Sequence, residues 1–163
     1  MPVMIMEGMT GTGQAPVGGA LTMPDATKGT TLGSGTVTRL LGQGGMASVY
    51  EVWNAQLEVA RAVKLISPNC SADGLKRFET EIKICAKLRH PNIVEIHGVG
   101  EHNGLPFIEM EKVDGAALGS LIDERGALPV AAVTAVGVMV ARALEYAHNT
   151  RLQRIDDARI GAG

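Results

Sequence analysis

The sequence predicts an α+β fold: a small antiparallel sheet of five strands carrying one helix, with further helices after it. Three features point there. Between residues 36 and 111, five short stretches rich in Val, Ile, Leu and aromatic residues are bounded by turn-forming residues. One stretch with apolar residues three and four apart separates the third of these from the fourth. After residue 114 the patterning is helical only.

Residues 1–34 are rich in Gly, Thr, Met and Pro without either periodicity, and are expected to form a disordered leader. Gly8 to Gly13 have the glycine spacing of a P-loop. Gln14 and Ala15 stand where a P-loop needs Lys and Ser or Thr, so that reading fails. Order is expected from near Thr36. Thr36 to Leu41 alternates as a strand, glycines interrupt it, and Ser48 to Trp53 resumes it. Glu58 to Ile66 is a third strand. A helix follows, with Ser71 or Asp73 as its cap and Leu75, Phe78, Ile82, Cys85 and Leu88 on one face. His90-Pro91-Asn92 ends it, because proline pushes its predecessor out of the helical region.

Strands are then expected over Ile93 to Val99 and Leu105 to Glu111, joined by the turn Glu101-His102-Asn103-Gly104. Asp114-Gly115 opens a short helix through Ile122 that Gly126 closes. Pro129 suits the first position of a longer helix ending near Asn149.

Composition narrows the function. Apolar residues make up 45% and aromatics only 3%, so the core must come from aliphatic and Met side chains. A formal net charge of -2 offers no basic excess for nucleic acid or an anionic membrane. Cys70 and Cys85 fit neither a metal-ligand spacing nor a disulfide framework, and read as free thiols of a cytoplasmic protein. No signal-peptide pattern opens the chain. The longest apolar run, Pro129 to Ala141, is shorter than the ~20 residues a membrane span needs, so no membrane segment is expected.

The chemistry concentrates in two places. Gly42-Gln43-Gly44-Gly45-Met46-Ala47-Ser48-Val49 joins two strands; such glycines admit close approach of a ligand and present N–H groups to phosphate. Alone, the segment reads more readily as a tight hairpin. A dinucleotide loop is excluded, since that loop must open into a helix and be followed by an acid about 20 residues on; here a strand follows, and Ala62 and Val63 stand at that distance. Lys64 lies in the third strand on the same face as Ala62. It is either an exposed edge lysine or a phosphate contact paired with a carboxylate. Glu81, beside the apolar stripe of the helix, is the candidate partner, although such a residue is ordinarily solvated.

Together these pieces resemble the small lobe of a protein kinase of the bacterial serine/threonine type. Leu41-Gly42-Gln43-Gly44-Gly45-Met46-Ala47-Ser48-Val49-Tyr50 is similar to that family's glycine loop, Ala62-Val63-Lys64 to its A-x-K strand, and Arg77-Phe78-Glu79-Thr80-Glu81 to the helix with the ion-pair Glu. His90-Pro91-Asn92-Ile93-Val94, Pro106 to Gly115, and Ala143-Leu144-Glu145-Tyr146-Ala147-His148 extend the resemblance from Thr36 to His148. Ala47 departs from it by replacing the third glycine, a change common among similar bacterial kinases.

The resemblance implies an ATP site. Leu41, Val49 and Ala62 would pack against adenine, and Met110 would be the gatekeeper. Glu111 and Val113 would offer backbone groups to the adenine edge, and the loop from Gly42 to Ser48 would cover the phosphates. Lys64, oriented by Glu81, would hold the α- and β-phosphates. The implied organisation is a leader over 1–34, a small lobe over 35–110, a hinge over 111–115, partial large-lobe helices over 116–150 and a divergent tail over 151–163.

The family's catalytic loop H-R-D-x-x-x-x-N and its D-F-G metal ligand do not occur in this sequence. Asp156 falls where the catalytic Asp is expected, but Arg154-Ile155 replaces His-Arg and Gly161 replaces the Asn, so its position is read as coincidence. No metal ligand is assigned, although magnesium accompanies ATP in a complete kinase. The expectation is an ATP-binding portion of a serine/threonine kinase, truncated before the catalytic loop and inactive as this chain, with protein substrates only for a longer form. The alternative is a pseudokinase-like regulatory module that binds nucleotide without turnover.

Overall fold

The computed structural model describes residues 26–160, without the side chains of Glu81, Ile84 and residues 151–160. Most of the expected leader, and with it the P-loop-like glycines, lies outside the described residues. The chain divides into a sheet unit, running up to Ala86 and again over Ile96–Lys112, and a helical unit formed by Lys87–Glu95 and Val113 onward.

The sheet unit holds six antiparallel strands in the order β1-β2-β3-β4-β6-β5. These are β1 Thr31–Leu32, β2 Gly35–Gln43, β3 Ala47–Asn54, β4 Val59–Ile66, β5 Ile96–His102 and β6 Leu105–Glu111. The sixth strand is β1, which the sequence hides as a two-residue stretch inside the expected leader. Its pairing of Thr31 with Thr36 brings Leu32 into the core together with Ala26. Structure therefore precedes Thr36 because this segment covers apolar surface, not because it has a strand pattern of its own.

Period-two alternation gives the sheet two faces. One face carries Val37, Tyr50, Val52, Val63, Leu65 and Phe107, which close with Leu32 and Ala26 into the core cluster. β2 reaches its partner through two bulges, each with one extra residue, at Thr38 and Leu41. β5 and β6 meet in a two-residue turn, where Asn103 and Gly104 take φ values of 51° and 78°, the left-handed pair such hairpins require. β5 starts at Ile96 rather than Ile93, since the backbone of Ile93 bonds back to His90 O at 3.0 Å in a turn.

Helix α1, Ala72–Cys85, belongs to the same unit. Of the two expected caps Ser71 serves: its Oγ accepts from Gly74 N at 3.1 Å. Phe78, on the stripe read from the sequence, is buried.

In the helical unit, α2 spans Leu118–Arg125 and α3 Val130–Ile160. α2 starts four residues later than expected, because Gly115 at φ 137° is not helical. Gly126 ends it as foreseen, with φ 72° and its N–H on Ile122 O at 2.8 Å. Pro129 stands just ahead of α3, its carbonyl accepting from Ala132 and Val133. The helix passes Asn149 and continues to Ile160, correcting the expected end; neither Gly nor Pro interrupts residues 149–160.

Within α3, Val130–Thr150 is long and apolar enough to cross a membrane by length and composition alone. The expectation from the uninterrupted run stopped at Arg142, whereas a span tolerates an occasional charge. Val130, Val133, Val138 and Leu144 are exposed, and Ala143 is buried. The loop Lys87–Glu95 joins this unit through Tyr146. The His90 ring stacks on Tyr146 with centroids 5.3 Å apart, and Arg89 N donates to the Tyr146 hydroxyl at 3.2 Å.

Candidate nucleotide-binding face

The second face of the sheet brings together four of the expected site residues, Val49, Ala62, Lys64 and Met110. Register pairs Val49 with Lys64, Glu51 with Ala62, Ala62 with Met110 and Lys64 with Ile108. Cross-strand partners share a face, so Val49, Ala62, Lys64 and Met110 stand together on the side opposite the core cluster. Val49, Ala62, Ile108 and Met110 are buried, and Lys64 is half-buried among them. The result is an apolar floor with one ammonium in it.

The Lys64 Nζ lies over the Phe78 ring, 5.6 Å from its centroid. A cation above a ring face is attracted by the ring quadrupole. The sequence marked Phe78 only as a core position of α1; its contact with the site lysine is visible only once helix and sheet are placed. The backbone of Glu81 lies in α1, three residues after Phe78, and its side chain falls outside the described residues.

The glycine segment forms the hairpin between β2 and β3. Gln43 pairs with Ser48, Gly44 N donates to Ala47 O at 2.9 Å, and Ser67 N donates to Met46 O at 2.8 Å, tying the tip to the end of β4. A Cβ on Gly45 would meet nothing within 4 Å, and Gly45 is not among the glycines with positive φ. Crowding and turn geometry therefore do not explain this glycine. Ala47 is buried, Met46 and Leu41 are exposed, and Ser48, paired with Leu65, turns toward the core face.

Glu111 is the last residue of β6, and Val113 belongs to the helical unit. The two expected adenine-edge residues therefore fall on either side of the division, which lies between Lys112 and Val113.

Two carboxylates escaped the sequence reading. Glu51, next to Ala62 on the floor, accepts from Thr38 Oγ1 at 2.8 Å and from Arg39 Nη2 at 2.8 Å, and lies 3.6 Å from Lys112 Nζ. Arg39 and Thr38 bind it and, helped by Lys112, hold its carboxyl below the ordinary value against a burial effect in the other direction. Glu109 points to the core face and is only 4% exposed. Its carboxylate meets Arg61 Nη1 at 2.7 Å and accepts from Ser34 N at 2.7 Å and from the Ser34 hydroxyl. Burial would raise its pKa, but the bonds from Ser34 and Arg61 outweigh burial and hold it low. An acidic residue between Ile108 and Met110 in an apolar strand was the available signal, since a buried charge requires partners.

Among the described residues no group of three or more His, Cys, Asp and Glu gathers as a metal site. Neither cysteine forms a disulfide among the described residues, and both are half-buried.

Comparison with known proteins identifies the family and the fold. The protein kinase domain model matches residues 36–156. The serine/threonine-protein kinase PknF of Mycobacterium tuberculosis is 39% identical over 133 residues, which cover 79% of this chain and 28% of that protein. The crystal structure of the M. tuberculosis PknI kinase domain superimposes with a TM-score of 0.64 at 38% identity, covering 76% of this chain and 52% of that one. Rad53, solved in complex with AMP-PNP, gives a TM-score of 0.61 at 28% identity over 72% of this chain and 31% of that one. The chain thus spans about a quarter of PknF and about half of the PknI kinase domain. With the family model covering most of its length, the chain belongs to the serine/threonine protein kinase family.

Proposed function

We propose that the second face of the sheet binds ATP, as the nucleotide-binding part of a kinase that phosphorylates protein Ser or Thr. One observation carries this reading: a half-buried Lys64 stands on an apolar floor of Val49, Ala62 and Met110, next to a glycine hairpin. Gly45 is compatible with it, since a tip residue without a Cβ and with nothing within 4 Å admits close approach of a phosphate. Rad53, similar over much of this chain, was solved with an ATP analogue.

ATP supplies the phosphoryl group. The chain's own residues bind and orient: the floor takes the adenine ring, the hairpin amides and the Lys64 ammonium take phosphate oxygens, and Glu111 and Val113 offer backbone groups to the adenine edge. Glu81 is assigned to orient Lys64, as the family resemblance implies. Magnesium would arrive with the nucleotide; the chain's described residues provide no cluster for it, and no step is assigned to it. Because neither H-R-D nor D-F-G occurs in the sequence, binding rather than turnover is assigned to this chain. The two half-buried thiols suit a reducing, cytoplasmic setting.

Thermal unfolding with and without Mg-ATP tests the reading. Saturating nucleotide should raise the wild-type midpoint by a few degrees, as ~2–3 kcal/mol of linked stabilisation implies. Lys64→Ala should lose most of that rise, with an affinity about tenfold or more weaker. Equal rises in both proteins would sink the role of Lys64. Phosphate transfer to a protein substrate by the purified chain would sink the assignment of binding alone.

A further inference from the structure

The Glu51 cluster is not explained by packing alone. Its side chain is 15% exposed and that of Lys112 16%, so a lysine near the nucleotide face is largely withdrawn from water with its ammonium 3.6 Å from this carboxylate. Lysine ordinarily keeps its ammonium in solvent. The pair also crosses a strand. Glu51 is on β3 and Lys112 follows β6, with β4 between them, and the register Glu51–Ala62–Met110 marks the crossing. Backbone ladders already join these strands, so the ion pair adds a constraint across them on the floor itself.

The third arm comes from β2. The bulge at Thr38 places an extra residue opposite Glu51, and both Thr38 and Arg39 bond to it, through Oγ1 at 2.8 Å and through Nε and Nη2 at 3.2 and 2.8 Å. Thr38 and Arg39 lie four and three residues before Gly42, and Glu51 lies two residues after Val49. One carboxylate therefore grips both strands of the glycine hairpin just behind its tip and ties them to the point where the chain leaves the sheet unit.

We propose that Glu51 is a positioning residue for nucleotide: with Lys112 it clasps the glycine hairpin to the segment after β6 and holds the hairpin's amides where phosphate oxygens bind. This deepens the ATP-binding reading and rests on it. A carboxylate held by two cations from different elements has little freedom to swing, and loss of either partner lets the hairpin move relative to the floor. Arg39, 61% exposed at its side chain, makes the shorter contacts at 2.8 and 3.2 Å and secures β2, whereas Lys112 at 3.6 Å is the less exposed cation and secures the far side of the floor.

The test uses this chain and measures Mg-ATP and adenosine binding by titration, alongside the nucleotide-free melting midpoint. Glu51→Gln and Lys112→Met should each weaken Mg-ATP by about 3- to 10-fold while shifting the nucleotide-free midpoint by no more than ~2 °C. Adenosine, which has no phosphates for the hairpin to hold, should lose distinctly less. Lys112→Arg, which keeps the cation, should return Mg-ATP affinity to within about twofold of wild type. Wild-type affinity in Glu51→Gln and Lys112→Met, or equal losses for ATP and adenosine, would overturn the clasp while leaving nucleotide binding intact. If Glu51→Gln melts early, Lys112→Met decides alone by the same readings. No Mg-ATP binding by the wild type would instead remove the nucleotide reading, and the clasp with it.

Discussion

The two faces of the sheet carry the same chemical device and use it differently. On each, a glutamate accepts from a Thr or Ser hydroxyl and pairs with an arginine from a neighbouring strand. On the core face, Glu109 is sealed: Ser34, Arg61 and the turn at Gly33 surround it, and Asn54 Nδ2 reinforces Ser34 Oγ at 2.9 Å. On the opposite face, Glu51 stands beside an apolar floor that holds an ammonium. A charged pair whose carboxylate is buried on the core face is an architectural fastening, because removing one partner leaves the other poorly solvated and unpaired. A charged cluster beside a binding surface changes what the surface can hold.

The comparison breaks most sharply at Glu109. Glu109→Ala leaves Arg61 without its buried partner and should cost ~3 kcal/mol, read as a lowered denaturant midpoint. Mg-ATP affinity of the folded protein should be unchanged, the opposite of the pattern expected for Glu51→Gln. A large affinity loss in Glu109→Ala would show that the faces are not separable. Gly33→Ala is the next largest. Gly33 has φ 61°, and an added Cβ would stand 2.5 Å from Glu109 Oε2. The substitution should cost ~1–3 kcal/mol through backbone strain and displacement of the carboxylate, again by denaturant midpoint. A neutral Gly33→Ala would mean that the segment ahead of β2 does not hold Glu109.

The smallest effect is linked to protons. The folded Glu109 carboxyl titrates below its ordinary value of 4.5, so its contribution to stability is present above that value and is lost as pH falls through the folded pKa. The melting midpoints of wild type and Glu109→Gln should therefore converge as pH drops below about 4.5 and stay apart at neutral pH. A gap independent of pH would mean that the carboxylate charge contributes nothing.

Much of the fold was legible in the chain because its signals are local. The alternation of β3 and β4, the Asn103-Gly104 turn, the Ser71 cap, the Gly126 stop and the buried position of Phe78 in α1 each depend on residues within a few positions of one another. Family resemblance picked out Lys64 and the glycine hairpin for the same reason: their neighbours in sequence identify them. Less local features were missed. β1 exists because Thr31 meets Thr36 and Leu32 finds the core, and two residues have no periodicity to detect. α3 ran past its expected end because the tail lacks breakers, although its residues resembled no known motif.

By itself the sequence determined the order of elements, the turns that join them, the glycine hairpin and the strand that carries Lys64, since each rests on backbone preferences of adjacent residues. Tertiary structure alone decided which side chains share a face across strands. It placed Phe78 beneath Lys64, gathered Thr38, Arg39 and Lys112 around Glu51, and buried Glu109 against Arg61 and Ser34. Those partners lie from 12 to 75 residues apart, and only strand register and helix docking bring them within bonding distance.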